Sequence, residues 1–179
     1  MTTFNFEDGN GPVPAHQHSN GSGWVADTAT VAGTAYVGPY ARVFDDARVS
    51  GNARVSGNAC VYGNARVSGN ALVFDDAQVS GNACVYGNAR VYKIARVTGN
   101  ARVFGSALVS DDARVTGNAR VSGYARVFGN ALVSDDARVS DNAEVSGYAL
   151  VSDDVEDDDI SEDIFIEMNG KRYKLVEIA

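Results

Sequence analysis

The stretch "GNARVSGNACVYGNARVSGNA", Gly51 to Ala71, is three and a half copies of one six-residue phrase. Read outward in both directions, the phrase does not stop. Valine occupies every sixth position from Val25 to Val151, and alanine every sixth position from Ala29 to Ala149. At the next alanine slot stands Val155, and at the next valine slot Asp157, so the phase ends in the low 150s. A period this regular is read before anything else, because it dictates the architecture. Ala and Val lie two apart, so in an extended strand they share one side, and the residues between and after them face the other. The outward slots hold Arg, Ser, Tyr, Phe and Leu. Gly-Asn or Asp-Asp closes most hexads, and these residues tolerate left-handed backbone and end strands. Turn residues every six positions leave no 3.6-residue stripe, which excludes a helix.

Strands this short bury nothing alone. They are stable only if the chain coils and each rung pairs with the last. The expected fold is therefore all-β: a single-stranded β-solenoid of three-sided coils, with Ala and Val filling a narrow bore. The phrase V-S-G-N-A-R resembles the hexapeptide repeat of left-handed parallel β-helix proteins, of bacterial and phage type. That resemblance implies three hexads per coil, a left-handed turn and side-by-side trimers. With eighteen residues per coil the repeat gives about seven coils. It also divides the chain into an N-terminal cap (1–23), the β-helix (24–152), an acidic linker (153–163) and a C-terminal β-hairpin (164–179).

Of the formal net charge of −8, the repeat body holds about +1, and the acidity sits in residues 153–179. This weakens any reading of the chain as an acidic nucleic-acid mimic. Two cysteines, Cys60 and Cys84, make no disulfide framework and fall on different faces, which fits free thiols in a reducing compartment. No N-terminal apolar run resembles a signal peptide, and no stretch is long and apolar enough to span a membrane. The expected compartment is cytoplasmic, in a bacterium or a phage-infected host.

Sorted by eighteens, one face stacks Arg48, Arg66, Arg102, Arg120 and Arg138, with Thr30 below and Cys84 in the gap. The column reads as an anion stripe for phosphate, nucleic acid or an acidic protein. The blander account is a solvated face with each charge near an Asp corner, and arginine in the same slot of the other faces favours it. A second face carries Leu72, Phe74, Tyr92, Leu108 and Phe128, which reads as an apolar interface. The third face has Trp24, Phe44, Cys60, Tyr62, Leu132 and Leu150.

Acyltransferases that resemble this chain in fold use a histidine base and a loop protruding from the coils, and similar carbonic anhydrases hold zinc with three histidines. Here the coils contain no histidine, and the unbroken phase leaves no room for a loop. No catalytic residue, metal or cofactor is expected. The Asp-Asp corners read as turn formers, and His16 and His18 as parts of a loop or cap. Departures from the phrase are the remaining places for a specific site: "YKIA" with Lys93 and Ile94, where turn chemistry lapses, and Tyr40, Tyr124 and Tyr148, which replace the corner Asn. The hairpin flanks Asn169-Gly170, a strong two-residue turn. The function expected is a non-enzymatic scaffold or protein-binding module, assembled with itself and possessing a protein partner. The alternatives are a phage-type antagonist of a host protein and a degenerate acyltransferase. Nucleic acid and membrane are not expected partners.

Overall fold

The computed structural model describes residues 2–152 and the backbone of two further strands, Ile164–Met168 and Lys171–Leu175. The repeat coils as its period demands. Every hexad supplies one two-residue strand, such as Arg48–Val49 or Leu72–Val73, and strands eighteen residues apart pair in parallel. The pairing always sets Val on Val, as in Val67↔Val85 and Val97↔Val115. Three parallel sheets result, so the molecule is a three-sided prism of about seven coils. Here rung 1 begins at Trp24, and each later rung begins eighteen residues on.

The bore is made of one Ala column and one Val column per face. From Ala35 to Val139 these side chains are at most 1% exposed. Each buried Val contributes about 1.5 kcal/mol of gross transfer energy, offset in large part by the entropy of ordering the chain. Backbone bonds between rungs repeat with the same regularity: Arg48 N donates to Ala65 O at 2.9 Å, and Ser50 N to Val67 O at 2.9 Å.

The corners refine the turn chemistry. The left-handed residue is the first of each pair, Gly51 (φ +66°) or Asp75 (φ +58°), and the Asn that follows is not. Asn instead forms ladders along the edges: Asn82 Nδ2 donates to Asn100 Oδ1, and Asn100 Nδ2 to Asn118 Oδ1, each at 3.1 Å. Asp in the left-handed slot reaches up one rung, where Asp45 Oδ2 accepts from Gly63 N at 3.0 Å. Lys93 also takes φ +58°. The turn chemistry of that hexad lapses, but its turn geometry does not, because Lys93 N donates to Asp75 Oδ2 at 3.2 Å and Lys93 O accepts from Asp76 N at 2.9 Å.

At the N-terminus, β1 (Thr3–Asn5) pairs antiparallel with β2 (Pro12–Gln17), and β2 pairs antiparallel with β3 (Trp24–Ala26), the first strand of the third face. The segment thus extends one sheet downward rather than merely lying over it. Phe4 stacks on Trp24 at 4.4 Å, and Phe6 on Phe44 at 4.9 Å. The loop after β2 closes the second face: Val37 N donates to Asn20 O at 3.0 Å, and Gly23 N to Val37 O at 2.9 Å. Open sheet edges invite pairing with other chains; this segment covers that of the second face and moves that of the third to the short strand β1.

The C-terminal strands pair antiparallel from Ile164↔Leu175 to Met168↔Lys171, the hairpin expected around the two-residue turn. The linker, the turn residues Asn169-Gly170 and the Asp153-Asp154 corner lie outside the described residues. Among the described residues no helix is long and apolar enough to cross a membrane.

Candidate functional site: the arginine face

Parallel pairing places Arg48 beside Arg66, Arg66 beside Cys84, Cys84 beside Arg102, Arg102 beside Arg120 and Arg120 beside Arg138. Neighbours in such a column are about 4.8 Å apart. All five arginines are exposed. None of their side chains makes a hydrogen bond, ion pair or cation–π contact with another described residue, although Asp corners bound this face. Among the described residues the Asp corners form no ion pair with the column, so its five guanidinium groups face solvent.

Arginines elsewhere contrast with this. Arg42 donates to Phe6 O at 3.0 Å and pairs with Glu7 at 2.7 Å. Arg54 lies 4.5 Å over the Tyr36 ring. Arg126 pairs with Glu144 at 2.7 Å. The longest unpaired run on another face is Arg96 beside Arg114.

The second outward column of the arginine face is mostly serine, interrupted at rungs 4 and 5 by Tyr86 and Phe104, stacked at 5.0 Å and nearly parallel. Cys84 lies half-buried beside them, its Sγ 3.6 Å from Asn82 O. The face is therefore basic at both ends and softly apolar in the middle. Cys60 is buried on the third face, and both thiols are free.

The residues read as an apolar interface fall together only in part. Leu72, Phe74, Tyr92, Leu108 and Phe128 share the second face, and all are half-buried. Phe74 and Tyr92 stack at 5.0 Å. Leu72 stands between Arg54 and Arg90, and Leu108 between Arg90 and Arg126, so the apolar column is broken by charge. Tyr92, Leu108 and Phe128 line a small depression of about 210 Å³ with Lys93, Asp111 and Arg126.

The most exposed large apolar groups are on the corners: Tyr40 (74%), Tyr124 (69%), Tyr148 (59%) and Ile94 (48%). Three of these share the edge between the second and third faces, which lies opposite the arginine face. Read upward, the outer column of that edge is Tyr40, Asn58, Asp76, Ile94, Asp112, Asn130 and Tyr148. It is a palindrome centred on Ile94. The inner column carries Asp75, Lys93 and Asp111 at its centre. Lys93 Nζ bonds Asp111, which holds the Asp111 carboxyl below its ordinary value and raises the Lys93 ammonium above its own. Sequence reasoning had singled out these residues without sorting them onto one edge. The signal was available, since 40, 94 and 148 differ by multiples of eighteen.

The histidines are engaged separately in the N-terminal segment. His18 is buried with Nε2 3.1 Å from Ala35 O, and His16 Nδ1 lies 2.9 Å from Asp27. Beside them, Phe6, Val13, Pro14 and Phe44 floor an open cleft of about 660 Å³ rimmed by Asp8, Asp27, Asp45 and Asp46. Among the described residues no group of three or more His, Cys, Asp or Glu side chains is disposed to hold a metal ion.

With the coil and its faces in place, comparison with known proteins agrees on the architecture. The profile of the YdcK β-solenoid repeat matches residues 41–57, 47–63, 53–67, 59–75, 65–81, 77–93, 95–111, 107–123 and 125–140, together more than half the chain. The chain belongs to the YdcK β-solenoid repeat family. The matched segments overlap in steps of one or more hexads through most of the body, as a profile does when any register along a uniform solenoid satisfies it. In this YdcK-type solenoid, rungs 2 to 6 apart from Ile94 and Tyr124, and all five arginines of the ladder, lie within matched segments. No curated protein and no solved structure matches the chain.

Proposed function

We propose that this β-solenoid is a non-catalytic scaffold that recognises an acidic protein surface through its arginine face and assembles with itself. One observation carries the reading: five exposed arginines, stacked at the rung spacing, whose side chains make no ion pair with any described residue. Stacked like charges oppose folding slightly, so a neutral column would serve a purely structural face better. The coils hold no histidine and no inserted loop, which supports a non-catalytic role. The resemblance of the repeat phrase to hexapeptide β-helices implies a left-handed coil, and the two free thiols support a reducing, cytoplasmic setting.

The test is fluorescence anisotropy with labelled polyglutamate and the full chain. Wild type binds in a salt-sensitive manner. Arg66→Gln/Arg102→Gln/Arg120→Gln binds about tenfold more weakly, since each exposed contact is worth roughly 0.5 kcal/mol. Equal binding by the triple variant refutes the reading, and so does tighter binding of duplex DNA than of polyglutamate. Calorimetry with acetyl-CoA gives no heat on this account; micromolar binding would reinstate an acyltransferase.

A further inference from the structure

We propose that the acidic surface recognised by the arginine face is presented by a second copy of this chain, as the edge opposite that face. The proposal rests on the arginine face being a protein-binding surface, and adds what occupies it.

Spacing is the first argument. A partner must offer carboxylates at the interval of the arginines. Another solenoid of the same rung height does so automatically, because both columns repeat at about 4.8 Å. Phosphates of an extended nucleic acid and carboxylates of an irregular loop share no such period.

The second argument is the match of pattern. The arginine face carries Arg66 at rung 3, Cys84 at rung 4 and Arg102 at rung 5. The opposite edge carries Asp75 and Asp76 at rung 3, Lys93 and Ile94 at rung 4, and Asp111 and Asp112 at rung 5. Docked with rung 4 on rung 4, the Asp76 and Asp112 columns meet Arg66 and Arg102, while exposed Ile94 meets half-buried Cys84 beside the Tyr86–Phe104 stack. Charge thus faces charge at two rungs, and apolar surface faces apolar surface between them. Of the two other edges, the one between the third and first faces has aspartates only at rungs 1, 2 and 7 within the described residues, and the one between the first and second faces has only Asp141. The same match does not arise there.

Lys93 does not cancel the edge. Its ammonium is bonded to Asp111 and lies near Asp75, which leaves Asp76 and Asp112, the carboxylates of the outer column, without a cationic partner among the described residues. Arg96 and Arg114, on the third face beyond the edge, make no bond to these carboxylates. The acidic strip is narrow, which suits an edge entering a face rather than two faces lying flat.

Edge and face lie on opposite sides of the prism, so the contact is heterologous. Its repetition adds copies side by side in an open row instead of closing a ring. Both patterns are nearly symmetric about rung 4, so the charges specify register rather than polarity.

The experiment uses full-length protein. Ile94→Cys is oxidised with diamide and run on a non-reducing gel. The expected result is disulfide-linked dimers and higher species through Cys84, absent from Ile94→Cys/Cys84→Ser and much weaker from the control Tyr124→Cys, whose new thiol sits on another edge. Light scattering gives the second arm. Wild type associates at low salt. Arg66→Asp/Arg102→Asp and Asp76→Lys/Asp112→Lys each associate about a hundredfold more weakly, because attraction becomes repulsion at two rungs. Their equimolar mixture recovers association, since the acidic face of one fits the basic edge of the other. That recovery also shows that both variants are folded. A wild-type monomer at low salt, equal cross-linking from Tyr124→Cys, or a mixture that stays monomeric overturns the proposal. If polyglutamate binding depends on the arginines while wild type stays monomeric, the arginine face remains a binding surface and only the self-docking falls.

Discussion

Cys84 is the one gap in the arginine column, and filling it measures what the column costs. In Cys84→Arg the new guanidinium joins Arg66 below and Arg102 above, each one rung away. Two unit charges about 4.8 Å apart repel by about 0.9 kcal/mol in water. Screening multiplies this by about 0.85 at 0.01 M salt, where the Debye length is ~30 Å, and by about 0.2 at 1 M, where it is ~3 Å. Two new neighbours therefore cost about 1.5 kcal/mol at low salt and about 0.3 kcal/mol at high salt. These are upper values, because long side chains splay. The assay is urea unfolding of Cys84→Arg against Cys84→Gln, which isolates charge from size, at 0.01 M and 1 M sodium chloride and below the concentration of self-association. The expected difference between the two variants shrinks by about 1 kcal/mol as salt rises. A difference that is absent, or insensitive to salt, would mean that the column is already neutralised, and the argument for an unsatisfied ligand-seeking face would fail.

Further outcomes follow from the coil itself. Val97→Ala removes two methylenes' worth of fully buried surface, about 1.6 kcal/mol of transfer energy, and leaves a void the stiff bore cannot close; a loss of about 2 kcal/mol in urea unfolding is expected. Gly57→Ala costs more than Gly147→Ala, because both are left-handed (φ +64° and +67°) but only the Gly57 Cβ meets backbone, 2.7 Å from Asp75 N; thermal melts of the two variants compare them. The Lys93–Asp111 pair sets a pH dependence. Asp111 is lowered, so its contribution is full above the ordinary carboxylate value and disappears as pH falls through the lowered one. Lys93 is raised, so its contribution is full below the ordinary lysine value and disappears as pH rises through the raised one. Unfolding followed from pH 2 to 6 shows a shallower acid slope for Lys93→Met than for wild type. Phe6→Ala strips a buried ring from under Phe44 and loosens the N-terminal segment, seen as about 3 kcal/mol less stability and faster exchange of the β2–β3 amides.

The bore was legible because two columns decide it. Val at one slot and Ala at another leave no other arrangement of strands that buries both, and a period of six with turn residues fixes three sides once eighteen is the coil. The faces followed by counting, and Arg48 to Arg138 lie where counting put them. What was not legible depends on distance rather than order. That Asp45 makes no ion pair with the arginine column and accepts from a backbone amide one rung up is a matter of side-chain reach across a corner. That Lys93 keeps the left-handed turn is a matter of the neighbours Asp75 and Asp76 holding its backbone. One miss was of order: the apolar set led by Leu72 and Phe74 was sorted by face correctly, but the same counting by eighteens puts Arg90 between Leu72 and Leu108 and breaks the column. The corner residues Tyr40, Ile94 and Tyr148 were noticed one at a time, although their spacing by multiples of eighteen already puts them on one edge of the prism.

Arginine-selective labelling with phenylglyoxal, read by mass spectrometry at each site, tests the central claim most directly. In the free chain at high salt, Arg48, Arg66, Arg102, Arg120 and Arg138 react as readily as the exposed Arg90, Arg96 and Arg114. With polyglutamate bound, the five become protected several-fold while Arg90, Arg96 and Arg114 continue to react. Protection spread equally over the three faces would contradict the account, and the arginine face would then be no more than a solvated side of the prism.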